Sequence, residues 1–405
     1  MQSKIKTYLL HALLLITTIA TTTAAGTEWI TGRSLFDTTS FWINFRQGFY
    51  FSIPFLGILT IHEFGHYITA KIYKVKVTLP YYIPFYFPGL MSIGTFGAFI
   101  RIKSFLTTRR QVFDVGAAGP IAGFVAALII LTYGFTHLPT QDYIYNNVHK
   151  DYAKYGKDYA KYVYTPAFLK EETIDMAKKT GMTLSKKDTT EFYVPSLGKN
   201  LLFLFFEKYV VQDKSLIPNN YEMFHYPFLL AGYLALFFTA LNLFPIGQLD
   251  GGHILYGLLG LKNHTRISTG IFIVFVFLAG IGVFRDNMVV NAFSSTENML
   301  IFSSVYIYFL YIIFSKLTES PLTNLMIAVV VFSIQFFIEY LFPEIKGFSG
   351  WFVFAFIIGR FLGIKHPPAL VEQPLDIKRK VIGWISLIIF IISFTPQVLY
   401  FEQIK

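Results

Sequence analysis

Two histidines and a glutamate in the string IHEFGHYITAKIY, at His62, Glu63 and His66, have the spacing of a metal-gripping pair with a base beside it. On a helix, residues four apart share one face, so both imidazoles can hold one ion. Glu63 projects about 100° around the axis from His62, at roughly 3.6 residues per turn. From there its carboxylate reaches water on the ion without taking a coordination position. A zinc ion at such a site lowers the pKa of water toward ~7 and polarises a carbonyl. Glu63 then accepts the water's proton and can pass it to a leaving amine. The H-E-x-x-H pattern arises by chance on the order of once per hundred proteins. Its place at the end of an apolar run shifts the odds, because two histidines and a carboxylate are costly there unless they are used.

A catalytic zinc takes three protein ligands and keeps one position open. The chain has no cysteine, so further ligands must be histidine or carboxylate. A second polar cluster, LNLFPIGQLDGGHI, runs from Leu241 to Ile254 at the end of another apolar stretch. It offers Asp250, beside Gly251 and Gly252, which let backbone approach closely. It also offers His253, three residues on and able to face the same way on a helix. The remaining histidines (His11, His137, His149, His225, His264 and His366) have no ligand-like company in the sequence and read as structural.

The elements that must position these residues are membrane spans. Of the 405 residues, 54% are hydrophobic and only 14% charged, with mean hydropathy +0.51; soluble chains carry about 25% charged residues. Apolar runs long enough to cross a bilayer, roughly 20 residues each, are expected at 8–25, 49–72, 113–135, 226–246, 268–284, 299–314, 322–342, 348–364 and 381–401. The first follows a basic N-terminus and resembles a signal peptide; a retained anchor is the favoured reading. The segment 75–101 is broken by Pro80, Pro84 and Pro88 and is too apolar for a solvent loop, so a re-entrant hairpin is expected. Residues 136–225 are charged and contain the local repeat DYAKYGKDYAKY, which predicts a water-soluble insert whose LLFLFF run (Leu201 to Phe206) packs in its core or lies on the membrane surface.

The net charge of +10 fits cytoplasmic loops better than nucleic acid. Lys71, Lys74, Lys76, Arg101, Lys103, Arg109 and Arg110 form one cluster, and Lys365, Lys378, Arg379 and Lys380 another. Placing both in the cytoplasm sends the insert outside and puts His62 and Asp250 toward the same face, where they can meet. The fold class expected is an all-α polytopic transmembrane protein with a membrane-embedded β-hairpin or re-entrant loop and a soluble extracytoplasmic insert. Its parts are an anchor helix and loop (1–47), a first catalytic part (48–135), the insert (136–225), a second catalytic part (226–262) and C-terminal helices (263–405).

HEFGH on a spanning helix, followed by N-x-x-P and L-D-G on another, resembles the site-2 protease family of intramembrane zinc metalloproteases. GTFGAFIRIKS (94–104) is similar to the membrane-embedded β-hairpin that follows the family's active-site helix. DVGAAGPIAGF (114–124) is similar to its Gly-rich helix start. The resemblance covers residues 50–135 and 226–260. It implies one catalytic zinc ion held by His62, His66 and Asp250, with Glu63 as general base and His253 left structural. It further implies that Asn242 and Pro245 hold substrate as an extended strand, which an edge around Gly94 and Gly97 can pair with. The partners implied are membrane-spanning protein substrates and the lipid bilayer, with no nucleic acid. The location expected is a bacterial inner (plasma) membrane, with the active site toward the cytoplasmic side.

Two features depart from better-known members: no segment reads as a PDZ domain, and several spans follow the catalytic part. Long polytopic forms of this kind resemble the branch with chloroplast and cyanobacterial relatives. Competing readings are a CAAX-processing type of membrane zinc protease, which takes a downstream Glu or His as ligand, and a transporter or scaffold, for which no internal duplication is evident. Asp114 reads as a cap for the helix from Val115, Gly116 and Gly119 as close-packing positions, and Glu339 and Arg360 as a possible intramembrane pair.

Overall fold

The structure, a computed structural model, describes residues 2–33, 35, 41–89, 92–140, 142–285, 295–345 and 347–404. It forms two compact units. The first comprises Met1–Ser104, Ile121–Leu241 and Ile391–Lys405; the second comprises Phe105–Pro120 and Asn242–Phe390.

In the first unit, α1 (Gln2–Thr31) packs along α2 (Phe41–Ile72). Small residues set the distance. A β-carbon on Gly48 would lie 2.0 Å from the Thr23 carbonyl oxygen, and the Thr23 and Ser52 hydroxyls hydrogen-bond at 2.8 Å. Such close approach lets two helices gain contact where hydrophobicity alone gives little drive. After α2 the prolines forbid helix. The chain forms β1 (Tyr81–Pro84) and β2 (Thr95–Phe99), antiparallel, with Tyr81 opposite Phe99 and an irregularity between Tyr82 and Pro84. The hairpin is tied to both helices: the Tyr82 and Thr60 hydroxyls meet at 2.7 Å, and Trp29 Nε1 donates to the Ser92 carbonyl at 2.9 Å.

The later part of α3 (Arg109–Thr136) and α7 (Pro227–Asn242) also belong to this unit, with the insert between them. Its two repeat copies stack on each other. Tyr152 lies parallel to Tyr159 with ring centroids 5.7 Å apart, and Tyr155 to Tyr162 at 5.2 Å. Tyr152 and Tyr159 are buried, while Tyr162 is exposed, so each copy contributes one inward ring. After α4 (Tyr159–Val163) and α5 (Pro166–Thr180) come β3 (Phe192–Leu197) and α6 (Leu201–Phe205). Phe203 and Phe206 enter the core while Leu201, Leu204 and Phe205 stay exposed, as expected of a run too short to span.

In the second unit, α8 (Asp250–Gly280) is interrupted at Gly260, whose φ of 74° breaks it into two helical segments. Arg109, in the first turn of α3, is buried and donates Nε to the Gly257 carbonyl at 3.1 Å, capping the first segment with a cation where the helix dipole favours one. It is therefore a structural residue, not the solvent-loop charge expected of it. The helices α9 (Thr296–Phe314) and α10 (Pro321–Leu341) form an antiparallel pair, followed by α11 (Trp351–Ile357) and α12 (Ile377–Ser393). Gln335 is fully buried and satisfied: it accepts from Tyr306 Oη at 2.9 Å and donates to the Phe277 carbonyl at 2.9 Å.

Among the described residues, five helices are long and apolar enough to cross a membrane: Ile5–Thr31, Arg109–Thr136, Asp250–Gly280, Thr296–Phe314 and Pro321–Leu341. This is an integral membrane protein. Three sequence expectations need correction. The last expected span, 381–401, ends as a helix at Ser393. Beyond Pro396, which cannot continue a helix, the chain becomes β4 (Leu399–Ile404) and pairs antiparallel with β3, Phe192 opposite Ile404. Asp114 does not cap a helix, because α3 begins five residues earlier; instead it binds Arg379 through both oxygens, at 2.7 and 2.8 Å. Glu339 accepts backbone N–H bonds from Gly282 and Phe284, at 3.1 and 3.4 Å, rather than serving as the partner expected for Arg360.

Candidate metal centre and active site

His62, Glu63 and His66 lie in the last part of α2 and are all buried, at 5, 5 and 7% exposure. The unbroken helix does what its four-residue period requires: the Nε2 atoms of His62 and His66 stand 3.1 Å apart. Glu63 Oε1 is 4.0 Å from His62 Nε2, close enough to serve a group bound there yet turned off the shared histidine face. Gly123 of α3 passes directly over His62. A β-carbon at 123 would lie 3.1 Å from both Cβ and Nδ1 of that histidine.

Asp250 begins α8, and the chain before it is tightly wound. Leu243, Phe244 and Ile246 are buried. Gly247, at φ 57°, would place a β-carbon 2.0 Å from the Gly363 carbonyl oxygen. Gly251 and Gly252 would likewise strike the carbonyls of Leu243 and Gly247, at 1.9 and 2.3 Å. The first turn of α8 thus folds back on the loop that precedes it, which fixes the Asp250 backbone. A carboxylate at this first position is also favoured by the helix dipole. One ligand atom each of His62, His66 and Asp250 lie within 4.8 Å of one another. Two imidazole nitrogens and a carboxylate oxygen are the donor set a catalytic zinc takes.

The sequence profile described as "Peptidase family M50" matches residues 50–281, more than half of the chain. The chain belongs to peptidase family M50.

The site-2 protease resemblance drawn from the motifs thus holds. Similar curated proteins include one from Oryza sativa subsp. indica described as "Probable zinc metalloprotease EGY2, chloroplastic". It is 26% identical over 224 residues, covering 55% of this chain and 32% of its own length. Another, from Arabidopsis thaliana, is described as "Probable zinc metalloprotease EGY1, chloroplastic"; it is 27% identical over 208 residues, covering 51% of this chain and 29% of its own. The chain thus spans about a third of the length of these relatives. No solved structure matches it.

The other expected residues of the M50 chain are placed unequally. His253, the rival third ligand, hydrogen-bonds His366 at 2.7 Å, and His366 stacks on Tyr256 at 4.2 Å. Gly116 makes room for it: a β-carbon there would be 2.5 Å from His253 Cβ. Asn242 ends α7. The Pro245 carbonyl accepts from the buried Ser268 hydroxyl at 3.0 Å, which anchors the loop. Gly94, at φ 88°, lies against α1, where a β-carbon would meet Thr22 Cα at 2.3 Å. Its carbonyl accepts from Thr21 Oγ1 at 2.7 Å. Gly94 therefore has a packing role whatever else it does. Gly97, at φ 106°, has nothing within 4 Å of where a side chain would begin. The sheet has the order β1–β2, so the other edge of β2 has no strand partner among the described residues.

Two features escaped the sequence reading. Gly123 lay inside the quoted DVGAAGPIAGF string, but only the structure shows it against His62. His149 and His225 do have ligand-like company, because they converge with Glu222 into a second group able to hold a metal. The E-x-x-H spacing of Glu222 and His225 was the available signal. His149 lies 73 positions from Glu222 and could be joined to it only by the fold.

Proposed function

We propose that this M50 chain is a zinc-dependent intramembrane endopeptidase that hydrolyses peptide bonds within or near the transmembrane segments of other membrane proteins. The observation carrying this reading is the approach of His62, His66 and Asp250 to within one ion's reach, with Glu63 beside them on a buried helix face. In it, His62, His66 and Asp250 hold the ion. Bound there, zinc would supply Lewis acidity toward a peptide carbonyl and make water more acidic.

Glu63 accepts the proton of the attacking water and delivers it to the leaving amine. Burial among apolar helices excludes bulk water, so the carboxylate acts on the one water admitted. A substrate helix hides its carbonyls in its own hydrogen bonds and must be extended before attack. The open edge of β2, beside Gly97, supplies backbone groups to hold such a strand. Asn242 and Pro245, at the end of α7 and in the loop after it, would supply further contacts to such a strand. The biological setting we infer is regulated intramembrane proteolysis of single-span proteins. By the charge clusters, the active site faces the cytoplasm of a bacterial plasma membrane.

The test is reconstitution. The purified chain in lipid vesicles should cut a single-span substrate, lose that activity to a zinc chelator and regain it with added zinc. Mass spectrometry of the products should locate the cut within or at the edge of the span. Chelator-resistant cleavage, or cuts confined to soluble flanks, would count against this reading.

A further inference from the structure

The cluster of His149, Glu222 and His225 is built like a metal site. Glu222 is fully buried. Tyr164 donates its hydroxyl to Glu222 Oε1, which fixes the carboxylate, while Oε2 has no hydrogen-bond partner. That oxygen faces two imidazole nitrogens, His225 Nε2 at 3.5 Å and His149 Nε2 at 3.8 Å.

The protonation of His225 follows from its other nitrogen. Nδ1 sits 2.7 and 3.1 Å from the carbonyl oxygens of Trp29 and Ile30. Carbonyls only accept, so Nδ1 carries the proton and Nε2 carries a lone pair. A backbone acceptor that locks the far nitrogen in this way is the usual support for a metal-ligating histidine. An ion pair between charged histidines and Glu222 is not a good account, because Oε2 accepts no hydrogen bond from either imidazole.

Lone pairs therefore point at one another across a gap that a cation would fill. Ligands about 2.0–2.1 Å from a tetrahedral zinc are roughly 3.3 Å apart, close to the 3.5 and 3.8 Å seen. The surroundings agree in charge. His149 and His225 open onto a cavity of about 430 Å³ whose wall carries Glu28 and Glu172 against Arg33. Gly32, at φ 66°, clears His225, since a β-carbon there would press its Cε1 at 3.3 Å.

We propose that His149, Glu222 and His225 hold a second divalent ion of the zinc class, separate from the active site. The ion would join the two ends of the insert to the C-terminal turn of α1, and its fourth coordination position would open to the cavity.

The experiment counts zinc. The full chain, purified in detergent, is equilibrated with zinc chloride, desalted and analysed for metal per chain. Wild type should hold two ions. His62→Asn/His66→Asn should hold one, and adding His149→Asn/His225→Asn should remove it. Because the insert variant could misfold, the His62→Asn/His66→Asn chain is also loaded with cobalt, and tetrahedral Co²⁺ absorption is expected without touching the insert. One zinc in wild type that vanishes in His62→Asn/His66→Asn, with no cobalt spectrum, would overturn the proposal and leave the active-site reading intact. Loss of the ion only in His149→Asn/His225→Asn would support it and count against the active site instead.

Discussion

Gly123 lies against His62 so closely that a β-carbon there would stand 3.1 Å from the imidazole Nδ1. An alanine would force the ring to shift by a few tenths of an ångström, and a valine by more. Overpacking of this kind typically costs about 1–3 kcal/mol. Gly123→Ala should therefore weaken zinc binding several-fold, and Gly123→Val should abolish activity while the protein remains folded. Zinc competition titrations on the two variants check this; wild-type affinity in Gly123→Val would show that the contact does not constrain the ligand.

The choice between Asp250 and His253 as third ligand is open to a paired comparison. Outer-shell partners of a metal are worth roughly 10–100-fold in affinity, and loss of a ligand should exceed that. Asp250→Ala should lose active-site zinc. His253→Gln, which removes the hydrogen bond to His366, should change affinity by no more than about 10–100-fold. The reverse order, measured by zinc content after dialysis, would reassign the ligand.

The Asp114–Arg379 pair is bidentate and mostly shielded, with side chains 16 and 20% exposed. A half-buried, fork-to-fork pair should stabilise by about 1–2 kcal/mol, above the range for exposed pairs. Asp114→Ala should lower the melting temperature in detergent, and Asp114→Ala/Arg379→Ala should lose less than the two singles summed. Arg379→Lys should not restore the pair, because an ammonium cannot offer two parallel donors. Additive effects in the cycle would show that the pair is not coupled.

Residues 399–404 pair with β3 along its whole length, Phe192 to Leu197. Deleting them should strip the insert of its strand partner. Limited proteolysis should then cut the insert around β3 faster than in the full chain, while the membrane helices stay protected. Equal cutting rates would show that β4 contributes nothing to the insert.

The catalytic helix was readable because its information is local: His62, Glu63 and His66 share four residues of one periodic element, and the helix period alone brings the nitrogens together. Asp250 was offered by its place at the end of an apolar run and by the charge-derived topology, and was chosen over His253 by the L-D-G resemblance, since its approach to His62 depends on the whole fold. What stayed hidden was set by long-range pairing. Nothing in Leu399 to Ile404 announces that its partner lies two hundred residues earlier, and an apolar tail beside an apolar helix looks like more helix. Asp114 looked like a cap because a carboxylate before a Gly-rich helix commonly is one, whereas Arg379 is brought to it from far along the chain. His149 and His225 each looked alone for the same reason.

In the proposed reaction Glu63 acts as base at a zinc site that it does not itself build. Glu63→Gln keeps the shape of the side chain and removes its basicity. Zinc content and cleavage of a single-span substrate should be measured together on that variant in lipid vesicles. Wild-type zinc content is expected, with cleavage reduced at least about 100-fold, the low end of what a general base supplies. Cleavage at the wild-type rate would contradict that role for Glu63.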